Sequence, residues 1–241
     1  MHMATWRIWF AVALSALSGC AVLFGGRREL CSTATFRVTP GDGVWDDEYG
    51  KTGDASGCSF EFRVVRYRDG IGVKARTFDD RVVVDGCGSG EVTCPSWNDD
   101  GIECFFDGDN DRSPNARAGR GTDYGGAFAL AANGAAQSDF SARPRGYGRD
   151  WKGRVEVRPR EGGGFEAVYD LWFSWACIGR FSAPDDDEDL VFGFNICMHD
   201  DDDGGRSDRA LYWKGNPSCP YRDESMFGTI VLKGNKGKGN Q

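Results

Sequence analysis

Oxygen donors gather in two places along this 241-residue chain. Asp107, Asp109 and Asp111 alternate through a Gly/Asn turn, and Asp200 and Asp202 belong to a run of four aspartates followed by Gly204-Gly205. Carboxylates crowded this way repel one another until a cation or solvent screens them, and all-oxygen ligand sets suit hard cations, so calcium is the expected ion. The first cluster is not an EF-hand, because Arg112 stands where that loop needs glycine and no glutamate closes it. A solvated acidic loop is the competing reading. The eight tryptophans are many for a core of this size, which places some at a binding surface, with core packing the competing role for each. His199 follows Met198, but adjacent strand residues point to opposite faces, so the pair cannot ligate one haem iron.

Other chemistries find little support. No nucleophile elbow or catalytic triad is visible, and one of the two histidines lies in the leader, which removes the commonest general base. There is no CxxC pair, so no zinc motif is expected. A net charge of −8 disfavours nucleic acid as a partner. The many carboxylates leave a glycosidase pair as a remote option.

The first residues read as a targeting segment. Arg7 precedes an apolar run that ends in Leu17-Ser18-Gly19-Cys20, a pattern resembling the bacterial lipobox. A membrane anchor is the alternative, but the apolar stretch of about 17 residues falls short of a comfortable span. Residues 1–19 are therefore expected to be a signal peptide, with Cys20 lipidated and the mature chain held at the membrane, in the outer membrane of the envelope. Eight further cysteines form an even set, which in an exported chain implies disulfides. Cys87 and Cys94 flank a Gly-rich turn and are the one local pair expected.

The elements that must position these groups are strands. Residues 191–198 place Phe192, Phe194, Ile196 and Met198 on one face, and the next strand sets Leu211 and Trp213 opposite Tyr212. Residues 58–68 and 72–78 form a hairpin, 155–158 and 165–171 another, and 102–107, 127–132 and 227–232 complete the strands. Residues 81–84 extend the first ribbon, and 172–180 carry a helical turn. The 35 glycines fit frequent tight turns. Helical periodicity is nearly absent, so the fold class is all-β: an antiparallel β-sandwich with long loops. A tether over 20–35, a domain over 36–233 and a disordered basic tail over 234–241 follow.

The order of motifs resembles the carbohydrate-binding module family 9 domains, of the broader DOMON-like (jelly-roll) sandwich group. Trp97-Asn98-Asp99-Asp100 precedes the strand at 102–107. Gly193 opens a strand that ends in the acidic loop and Gly204-Gly205-Arg206. Leu211-Tyr212-Trp213 follows, and Phe227-Gly228-Thr229-Ile230-Val231-Leu232 closes the pattern. The resemblance implies a sugar clamped between Trp97 and Trp213, with Glu103 accepting its hydroxyls. The apolar C–H face of a pyranose stacks on an indole while its hydroxyl edge needs charged acceptors. Many members carry an arginine in the strand after the long loop. Phe128-Ala129-Leu130-Ala131-Ala132 has none, leaving Arg112, Arg117 or Arg120 to replace it, or an altered pocket. The expected protein is a non-catalytic, monomeric lipoprotein that captures poly- or oligosaccharide. The alternative is a structural envelope lipoprotein that keeps the fold without the sugar site.

Overall fold

A computed structural model describes residues 27–46, 57–112, 125–139, 145–180, 182–215, 217–218 and 223–234. The signal peptide, Cys20, Arg117, Arg120, Cys219 and the tail beyond Gly234 lie outside them. The described residues form two antiparallel sheets that pack face to face, the β-sandwich expected from period-two patterning.

The first sheet orders β1 (Glu29–Ser32), β4 (Ser59–Tyr67), β5 (Gly70–Asp79), β10 (Phe165–Ser174) and β9 (Trp151–Pro159), with β2 (Phe36–Val38) also paired to β4. The second orders β3 (Val44–Trp45), β12 (Arg209–Tyr212), β11 (Leu190–Asp200), β6 (Gly101–Asp107), β7 (Gly125–Ala131) and β8 (Ala136–Asp139). Its last member, β13 (Gly228–Leu232), pairs with the opening half of β11.

Three details differ from the expectation. Residues 29–32 pair with β4, so the sandwich starts inside the stretch read as a tether. The β4–β5 turn is Arg68-Asp69, and Gly70 already belongs to β5. Residues 81–84 do not extend the ribbon; the Val83 amide instead donates to Asp100 Oδ2 at 2.6 Å. The helical turn expected within 172–180 is present as a short 3-10 segment, Trp175–Ile178.

Burial between the sheets fixes which side chains face inward. Phe192, Phe194, Ile196 and Met198 of β11 join Ile102, Cys104 and Phe106 of β6 in one core cluster with Phe60, Phe62, Leu171 and Phe173 of the first sheet. Phe106 is its hub, with ring centroids 4.9 Å from Phe173 and 5.2 Å from Phe194. The alternate residues of the second sheet, among them Glu103, Phe105, Asn195, Cys197 and His199, are thereby turned to its outer face. Gly125 lets β7 begin directly against β6, since a Cβ there would lie 1.7 Å from the Phe106 carbonyl oxygen.

Cys87 and Cys94 are bonded as expected, with Cα atoms 5.9 Å apart. The wider disulfide expectation is corrected: Cys31, Cys58, Cys104, Cys177 and Cys197 are free thiols. Their positions set them apart. Cys104 lies in the inter-sheet core, whereas Cys197 on the neighbouring strand belongs to the outer cluster, and the Cys177 thiol donates to the Asp150 carbonyl at 3.2 Å.

Candidate functional site

The outer face of the second sheet is roofed in two places. Val44 and Phe227 pack over Phe105, Ala127, Cys197, Ala210 and Tyr212. The Cys87–Cys94 turn packs over Ala131 and Ala135. One cross-strand rung starts under the first cover and crosses the sheet: Cys197 on β11, Glu103 on β6, Ala129 on β7 and Gln137 on β8. Ala127 and Ala131 lie under the two covers, and Ala129 between them is also buried, with the Ser96 turn against its carbonyl. Glu103 is 8% exposed, and its Oε2 lies 3.1 Å from His199 Nε2.

The turn bearing Trp97, Ser96–Asn98, is fastened to this region. Ser96 Oγ donates to the Ala129 carbonyl at 3.3 Å, and the Ala132 amide donates to the Asp100 carbonyl at 2.7 Å. Trp97 is half-buried, with the Arg206 guanidinium 5.8 Å from its ring centroid. Trp97 and Glu103 are therefore held by adjoining elements at one end of the sheet.

Trp213 is not part of that arrangement. It follows Leu211 on the inward parity of β12, and its ring packs against Phe36 and Phe62 with centroids at 5.0 and 5.1 Å. Gly228 makes room for it, since a Cβ there would lie 2.3 Å from the indole. Trp213 and Glu103 thus sit on opposite faces of one sheet, which corrects the expected clamp. The half-buried indole packs against the core, and the apolar contact it gains there outweighs leaving it fully exposed. Of the arginines expected to stand in for the family cation, Arg112 bonds Thr229 Oγ1 on β13, and His199 is the group that faces Glu103.

The acidic residues sort differently from the expectation. Asp200 and Asp202 share Arg209, whose Nε and Nη2 lie 2.6 and 2.7 Å from their carboxylates. Asp200 also gathers with Cys58 and Asp79, with one ligand atom each within 4.8 Å of the others, whereas Asp202 joins no such group among the described residues. Asp107 and Asp111 do converge, with Glu224 as a third partner, and their ligand atoms lie within 4.8 Å of one another. Asp109 is not among those three ligands; its Oδ1 accepts from the Asp111 amide at 3.2 Å. Burial and then the Asp109 side chain push the Asp107 carboxyl up to about 6.

A further oxygen cluster escaped the sequence reading. Asp85, Asp99 and Asp201 come from three separate segments, with one oxygen each within 4.8 Å of the others. Asp99 Oδ1 accepts from the Asp85 and Gly86 amides, and Asp201 Oδ1 from the Asp203 and Gly204 amides. The second oxygens of Asp99 and Asp201 are buried with no hydrogen-bond partner. Burial raises the Asp201 pKa, and the carboxylates of Asp208 and Asp85 add to the shift. Run composition pointed to this loop, but which aspartate faces inward depends on where β11 ends.

A groove of about 620 Å³ lies elsewhere, on the outer face of the first sheet. Much of its charge is internally paired, as Arg76–Glu61, Arg154–Asp170 and Arg158–Glu156.

Comparison with known families matches residues 42–235 to the carbohydrate family 9 binding domain-like family. The chain belongs to this family. It is a family of binding domains, so the non-catalytic reading rests on membership and not on any missing residue. No curated protein matches the chain. Among solved structures, it is similar to a family 9 carbohydrate-binding module from Caldicellulosiruptor kristjanssonii in complex with cellotriose. Identity is 14%, the TM-score is 0.53, and the match covers 89% of this chain and 88% of that one. A family 9 module from the same organism in complex with glucose aligns at 16% identity with a TM-score of 0.54, covering 83% of this chain and 86% of that one. At such identities the likeness establishes the fold.

The acidic end of this family 9 domain carries a titration signature. Asp79 is 5% exposed, and burial followed by the charge of Asp200 pushes its carboxyl up to about 8. A raised acid favours the folded state while protonated, so its contribution is intact below about pH 4, near the unfolded value, and is lost as pH rises through about 8. Asp79→Asn is expected to match the wild type in urea midpoint near pH 4 and exceed it near pH 9. Parallel midpoint curves would contradict the assignment.

Proposed function

We propose that the outer face of the second sheet binds a saccharide, with Glu103 accepting sugar hydroxyls and Trp97 stacking at the border of the site. The observation that carries this reading is the co-location of the Glu103 rung and the Trp97 turn through Ser96 and Ala129. Membership in a carbohydrate-binding family and the sugar complexes of the Caldicellulosiruptor modules support it. A carboxylate gives hydroxyls charge-assisted bonds, and the half-buried Trp97 leaves part of its indole free to meet a ring. One feature favours the alternative of a structural envelope protein without a sugar site: the Glu103 side chain is only 11% exposed and already meets His199.

Calorimetric titration with cellotriose and a glycan array separates the two. Trp97→Ala is expected to weaken binding by about tenfold or more, on the order of 1.4 kcal/mol. Trp213→Ala is expected to lower the unfolding midpoint through lost packing. Failure of the wild type to bind any glycan would remove the saccharide reading.

Calcium fits best at Asp85, Asp99 and Asp201, where buried unpartnered carboxylate oxygens would become ligands. Binding to the folded state alone raises its stability by mass action. Millimolar calcium is expected to raise the thermal midpoint over that in EGTA, and Asp201→Asn to abolish the difference. Equal wild-type midpoints in both conditions would dismiss structural calcium.

The Leu17–Cys20 motif supports attachment at the membrane through lipid on Cys20. Mass spectrometry of the chain produced in a bacterial host should show a diacylglyceryl-modified Cys20 as the first residue. An intact leader, or cleavage elsewhere, would contradict the anchor.

A further inference from the structure

Cys197, His199 and Glu103 bring soft and borderline ligands to one point. Cys197 and His199 are two residues apart on β11 and so share the outer face, and Glu103 is the cross-strand partner of Cys197. His199 Nε2 lies 3.1 Å from Glu103 Oε2 and 3.4 Å from Cys197 Sγ, and the three ligand atoms lie within 4.8 Å of one another. A single ring nitrogen thus faces a carboxylate oxygen and a sulfur together. Imidazole nitrogen, thiol sulfur and carboxylate oxygen are the three ligand types that zinc-class ions take from proteins. A divalent ion held among them would be bonded by all three.

The distances suit that substitution. Zinc–ligand bonds of 2.0–2.3 Å in tetrahedral array set adjacent ligand atoms roughly 3.3–3.6 Å apart. The His199–Glu103 and His199–Cys197 separations of 3.1 and 3.4 Å fall within a few tenths of an ångström of this, and the third pair lies within 4.8 Å. The ligands come from the two central, hydrogen-bonded strands of the sheet, so the arrangement is held by the backbone register. Thiolate and imidazole select zinc-like ions over calcium, which separates this site chemically from the all-oxygen cluster at the loop end.

We propose that Glu103, Cys197 and His199 form a binding site for a thiophilic divalent ion of the zinc class, with an open fourth position where Glu103 meets solvent. Zinc was not expected from the sequence because the chain has no CxxC pair and only two histidines. Two of the ligands come from alternate residues of one strand, and the third joins them through cross-strand pairing.

The test is cobalt(II) titration of the metal-stripped full-length chain. About one equivalent should produce a sulfur-to-cobalt charge-transfer band with intense tetrahedral d–d absorption, and zinc should displace it. Cys197→Ala should lose the charge-transfer band, whereas Cys31→Ala and Cys58→Ala should keep it. If Cys197→Ala does not fold, His199→Gln retains the thiol and should weaken cobalt binding at least tenfold. Absence of the band in the wild type, or an unchanged band and affinity in His199→Gln, would overturn the site. Saccharide affinity measured on the metal-stripped chain does not depend on this result, so the two readings fail separately.

Discussion

The inter-sheet burial of β11 and β6 is the constraint on which the rest depends. Every second side chain of these strands is committed to the aromatic core around Phe106. The residues between them are thereby fixed on the outer face, and a one-residue slip would exchange the two sets. Because the Phe residues cannot move outward without losing their packing, Glu103, Cys197 and His199 cannot move inward. Function on the outer face is set by hydrophobic order on the inner one.

The same constraint governs the polar end of the molecule. β11 runs into the acidic loop while still paired to the start of β6, so Asp200 is buried beside Asp79 and needs Arg209. One residue further on, Asp201 turns toward Asp85 and Asp99. Adjacent aspartates therefore have opposite electrostatic roles, one paired with a guanidinium and the other grouped with carboxylates.

Much of this was legible in the sequence. Alternation gave the core faces of β11 and β6, the hairpins and the sandwich class, and the Gly-rich turn gave the Cys87–Cys94 bridge. Parity had also set Trp213 beside Leu211, and the structure follows that parity instead of the clamp implied by resemblance. The Asp85–Asp99–Asp201 convergence and the Glu103–Cys197–His199 triad were not legible. Each needs the pairing register between strands, which periodicity within one strand does not carry. The expected cysteine pairing failed for a related reason: an even count does not say which face each thiol occupies.

The central claim is that a sugar occupies the outer face of the second sheet. Amide NMR mapping during a cellotriose titration tests it most directly. The account predicts shifts concentrated at Trp97, Glu103 and Ala129, with the core-facing residues of the first sheet undisturbed. Shifts confined to the groove on the first sheet, or none at saturating sugar, would contradict it.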